Sequence, residues 1–106
     1  MASETAAETA FAALQERFLA EPGVDAGTGF GSAPGLRANS KIFAMLPHGE
    51  LVVKLPADRC VELVSAGRGR QFVVGTRTMR EWLVVEGIDS DAWAELTAEA
   101  LGYVRG

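Results

Sequence analysis

The chain has 106 residues, one cysteine, one histidine and a formal charge of -4 at neutral pH. That is enough chain for one core without disulfide or metal staples; a lone Cys60 cannot pair internally, and no apolar run approaches the ~20 residues of a membrane-spanning helix. The acidic balance argues against indiscriminate nucleic-acid binding, because phosphate affinity comes from Lys and Arg.

From the N-terminus, MASETAAETA carries neither a positive n-region nor an apolar h-region. With a single unpaired cysteine, this leads to the expectation of a cytoplasmic protein. Thr5 and Glu8 are spaced as a capping box, and Ala7, Ala10, Phe11, Leu14 and Phe18 recur at helical spacing until Pro22-Gly23 stops the pattern. Residues 23–40 hold five glycines and Pro34. They read as a loop, with or without a short strand around 35–38.

Lys41 to Leu55 then reads as two strands joined by a tight turn at Pro47-His48-Gly49. Ile42, Ala44 and Leu46 alternate with Phe43 and Met45, so both faces of the first strand are apolar and the strand belongs in the middle of a sheet. Gly49 suits the positive φ of a short turn, and His tolerates it better than most residues. A second helix runs from Pro56 to Gly67, with Val61 and Val64 facing inward, helped by Cys60 or Leu63. Two further strands follow, Gln71 to Gly75 and Glu81 to Glu86. Asp89-Ser90 caps a last helix striped by Trp93, Leu96, Ala100 and Val104. Helix, two or three strands, helix, two strands, helix, with short connections between strands, describes an α+β sandwich on a mostly antiparallel sheet, one domain over residues 1–106.

Four sets of residues invite chemistry. Gly27, Gly29 and Gly31 resemble a phosphate loop, but they follow a helix and precede a strand, the reverse of the order that aims helix-terminal amides at phosphate. His48 lacks a partner histidine and sits on a turn, so a solvated turn residue is expected. Cys60 lies early in the second helix beside Arg59. A depressed pKa there would make a nucleophile, whereas a small buried hydrophobe is the expected role. With one His, one Cys and no carboxylates at ligand spacing, neither a metal nor another cofactor is expected, and no catalytic residue is assigned.

The fourth set is basic. Residues 59–80 carry five arginines against Glu62 alone. Arg68, Arg70, Arg77 and Arg80 flank the fourth strand and the connection to the fifth, with Trp82 close by as a stacking surface. Convergence at one end of the sheet would make them a protein- or nucleic-acid-binding site; otherwise they balance the acidic first and last helices. Trp82 and Trp93 are expected mainly as core residues.

Phe30-Gly31 ahead of Gly35-Leu36, then Lys41-Ile-Phe-Ala-Met45, Glu50-Leu-Val-Val-Lys-Leu55 and Met79-Arg-Glu-Trp-Leu-Val-Val85 together resemble the TfoX N-terminal domain family (TfoX/Sxy), which is related to MmcQ/YjbR-like proteins. The resemblance spans residues 28–105. It implies a two-layer α-β(3)-α-β(2)-α sandwich and a non-enzymatic regulatory or binding module, with no catalytic residues to carry over. The competence role of TfoX is associated with a further C-terminal domain, which is not expected after Gly106. The expectation is therefore a cytoplasmic module for a protein or nucleic-acid partner, able to form a homodimer through a strand edge. The alternative is a small-molecule binding domain using space between the Gly-rich loop and the sheet.

Overall fold

A computed structural model describes residues 5–28 and 33–106. The fold is α+β, with three helices on one face of a six-stranded sheet in which every neighbouring pair is antiparallel. Helix α1 (Ala6–Phe18) starts at Thr5, whose hydroxyl accepts the Glu8 N–H while the Glu8 carboxylate accepts the Thr5 N–H. Strands β1 (Val24–Thr28), β2 (Pro34–Ala38), β3 (Lys41–Met45) and β4 (Val52–Lys54) lead to α2 (Ala57–Ser65). Then β5 (Gly69–Val74), β6 (Arg77–Val85) and α3 (Ser90–Arg105) follow. The sheet order β1-β2-β3-β4-β6-β5 makes β3 and β4, the anticipated hairpin, the two central strands. Their turn holds His48 and Gly49 at φ values of 55° and 76°, the left-handed conformation that the tight reversal requires.

One strand more than the five anticipated comes from the glycine-rich segment, where β1 pairs with β2 from Val24↔Ala38 to Thr28↔Pro34. Only Val24 of β1 is buried, and an edge strand needs no alternating apolar pattern to be held by its neighbour. Gly27 and Gly35 stand opposite each other in this pair, so they are sheet glycines; a Cβ on Gly27 would lie 2.6 Å from the Arg37 side chain. Gly29, Phe30 and Gly31 lie outside the described residues.

Two irregularities decide which side chains face the helices. Between β2 and β3 the register steps from Leu36↔Ala44 to Arg37↔Ile42, leaving Phe43 as an extra residue. This bulge breaks the alternation expected for β3. Phe43 and Ala44 both enter the core beneath the helices, while Ile42 and Met45 belong to the opposite face. Between β5 and β6 the register jumps from Gln71↔Leu83 to Phe72↔Met79, so Arg80, Glu81 and Trp82 form a wide bend in β6.

The main core joins Phe11, Phe18, Leu63, Trp93 and Leu96 of the helices to Leu36, Phe43, Val53 and Leu83 of the sheet. On the other face Met45, Val52 and Val84 are buried, with Ile42, Phe72 and Trp82 packed against them. Helix α2 turns differently from expectation. Cys60 and Leu63 are buried, whereas Val61 and Val64 face outward at 61% and 36% exposure. Residues 60 and 63 share one face of the helix and 61 and 64 the next, and the sheet lies under the first.

Candidate functional site

The fold disperses the basic set. Arg70 stands opposite Val84 on the helix-free face, where its guanidinium bridges Glu50 of the β3–β4 connection and Glu86 beyond β6. Arg68 reaches Glu95 of α3 at 3.8 Å. Arg77 opens β6 opposite Val74, and Arg80, in the bend, lines a groove beside α2. Among the described residues the Arg77 and Arg80 side chains have no ion pair, unlike Arg37, Lys54, Arg59, Arg68, Arg70 and Arg105. Two of the four arginines thus carry acidic partners. The pairs of Arg70 raise its already high pKa through hydrogen bonds to Glu50 first and Glu86 second, which holds this charge in place on the sheet.

Trp82 is half-buried on the helix-free face with the Lys54 ammonium 5.1 Å from its ring centroid, while Trp93 is buried and donates its indole N–H to the Gly87 carbonyl. Trp82 is therefore a part of the sheet's second apolar cluster with one cation already on its ring. Lys54 also pairs with Glu81 at 3.4 Å. Glu81 in turn stands beside the Tyr103 phenol, whose pKa is raised by partial burial first and Glu81 second. Lys54, Glu81 and Tyr103 form a polar group at the β6 bend that no local sequence pattern announces, because it draws on three distant elements.

Cys60 is buried, and its thiol donates to the Leu55 carbonyl at 3.7 Å. Burial, and then the negative charge of Glu81, push its pKa up, opposite to what a nucleophile needs. We expect native Cys60 to react with an aromatic disulfide reagent at pH 8 at least about tenfold more slowly than in denaturant, as a buried thiol should; equal rates would place the thiol in solvent. A raised folded-state pKa also favours folding only while the unfolded thiol stays protonated. Stability should then fall as pH rises past about 8.5, and Cys60→Ala should flatten that slope in urea titrations.

The described residues form concavities of interest on the surface. A cavity of about 770 Å³ lies between the β3–β4 turn and the outer half of the β5–β6 hairpin, with Pro34, Leu46, Phe72 and Val73 among its apolar lining and His48 and Glu8 among its polar lining. Val73 and Val74 are 53% and 48% exposed there. Another, about 460 Å³, runs along α2 between Val61, Val64 and Arg80. Among the described residues no cluster of His, Cys, Asp and Glu is placed to hold a metal ion, and no helix is long and apolar enough to cross a membrane. Neither a protein-family model, a curated protein nor a solved structure matches the chain.

Proposed function

We propose that the chain is a cytoplasmic, non-catalytic binding module resembling the TfoX N-terminal domain, and that it recognises a protein partner through the outer half of the β5–β6 hairpin. The observation that carries this reading is two successive exposed valines on the edge strand, Val73 opposite Thr78 and Val74 opposite Arg77, whose side chain has no ion pair among the described residues. Apolar side chains on an edge strand, flanked by an unpaired cation, suit a protein surface that adds a strand or packs an apolar residue. A nucleic-acid site would instead need several free cations at phosphate spacing, and Arg68 and Arg70 are engaged by Glu95, Glu50 and Glu86.

The test has two arms. Labelled single- and double-stranded oligonucleotides should show no salt-dependent binding at low ionic strength. Binding that weakens with salt and is lost on Arg77→Ala with Arg80→Ala would replace the protein reading with a nucleic-acid one. A photo-crosslinking residue at position 74 should capture one protein species in cells, and Val73→Asp should abolish the capture. Equal capture from position 16 on the exposed side of α1 would sink the assignment.

A second reading, a small-molecule binding domain, draws on the 770 Å³ cavity, whose size falls in the range of ligand pockets. An apolar fluorophore such as anilinonaphthalene sulfonate should then bind with one-to-one stoichiometry and be displaced by Val73→Trp. Absence of saturable binding removes this reading.

A further inference from the structure

The groove along α2 has a composition that no partner of the β5–β6 hairpin explains. Val61 is 61% exposed and Val64 36%, on a helix whose other side is core. Asp58 lines the groove from the first turn of α2 and Arg80 from the β6 bend. Both are exposed, and among the described residues neither has an ion pair, either with each other or with any other residue. The neighbouring charges behave differently: Arg59, one residue on, is held by Glu99 at 2.5 Å and Glu62 at 3.1 Å, and Lys54 by Glu81. One acid from α2 and one base from β6 thus line the same groove as two exposed valines, both without an ion pair among the described residues.

We propose that this surface is the interface of a symmetric homodimer, its occupant a second copy of the same chain. A two-fold interface uses one patch twice, so a patch must complement itself. An axis passing midway between Asp58 and Arg80 sets each Asp58 on the partner's Arg80, forming two equivalent ion pairs, and brings Val61 and Val64 against the facing copy. A purely acidic or purely basic groove would repel its own copy; this one carries both signs, the acid on α2 and the base on β6. Helix α2, at nine residues, is about 13 Å long, so the contact lies at the small end of specific interfaces. The dimer accordingly dissociates in the micromolar range and is weakened by salt, since both pairs sit at a solvated rim. This interface is separate from the hairpin surface, and Val73→Asp leaves it intact; failure of one reading does not touch the other.

Sedimentation velocity over about 1 µM to 1 mM should show a monomer–dimer equilibrium for the native chain, the range in which such a contact is expected to titrate. Asp58→Arg and Arg80→Asp should each weaken it by about tenfold or more, since each sets like charges face to face twice. Mixing the two variants should restore association as a heterodimer. The arginine introduced at position 58 of one copy then meets the aspartate introduced at position 80 of the other, while on the second side the native Arg80 meets the native Asp58. The mixing arm also controls for folding, as misfolded variants would not rescue each other. A native chain that stays monomeric throughout overturns the proposal, as would a foreign protein being the occupant. Dimerisation indifferent to both charge reversals, or single variants that mixing does not rescue, overturns it equally.

Discussion

Phe43→Ala is expected to cost about 4 kcal/mol, a large share of the ~5–15 kcal/mol that holds a domain of this size. Phe43 is fully buried, sits edge-on to Phe18 with ring centroids 6.4 Å apart, and occupies the bulge that turns two successive residues of β3 toward the helices. Truncation removes the ring contact and leaves a cavity that a central strand pinned on both sides cannot close. The thermal midpoint should drop by about 20 °C. Ile42, the next residue back, lies on the helix-free face and is half-buried. Ile42→Ala should therefore cost only about 1–2 kcal/mol, less than truncating a fully buried aliphatic. Urea unfolding of the two variants is a direct test of the bulge. Equal costs, or a larger loss at Ile42, would mean that β3 alternates regularly and that Phe43 does not face the helices.

The second large effect is expected at Gly69. A Cβ built there would lie 2.6 Å from the Val84 carbonyl oxygen and 2.8 Å from Leu83 Cδ1. The oxygen belongs to the backbone of the paired strand, so it cannot retreat without opening the β5–β6 ladder. Gly69→Ala should cost about 2–3 kcal/mol and Gly69→Val more, as overpacking against a rigid neighbour does. Amide exchange should quicken first across Gly69–Val74. Gly75, at the tip of the same hairpin, provides the contrast. Its φ of 64° penalises a side chain, but a Cβ there meets nothing. Gly75→Ala should cost about 1–2 kcal/mol, from the backbone alone. A Gly69→Ala variant as stable as the native chain would show that the two strands do not approach as closely as described. The effect has a functional side, since loosening β5 also disorganises the Val73–Val74 surface.

How much of the fold is legible beforehand depends on how local each signal is. The capping box at Thr5 and Glu8, the positive-φ turn at His48-Gly49, and the cap at Asp89, which accepts from the Asp91 and Ala92 amides, all act over two or three residues. They can be read from neighbouring letters. Strand β1 cannot, because its place comes from pairing with β2 rather than from a pattern of its own. The orientation of α2 differs from expectation for a related reason. Val61–Val64 and Cys60–Leu63 are equally good apolar stripes by spacing, and only the position of the sheet chooses between them.

The candidate sites follow the same division. The concentration of arginine between residues 59 and 80 is visible in the sequence, but its effective charge is not. Arg70 meets Glu50 across 20 residues and Arg59 meets Glu99 across 40, pairings that exist only once strands and helices are assembled. The sequence by itself determined the helices, the central hairpin and the α+β class, because caps, turns and hydrophobic periodicity are short-range properties of the chain. Tertiary structure alone decided which arginines meet acidic partners, which valines face solvent and which face of β3 holds Phe43. Those outcomes depend on strand register and long-range charge pairing, where one extra residue in a strand redirects every side chain beyond it.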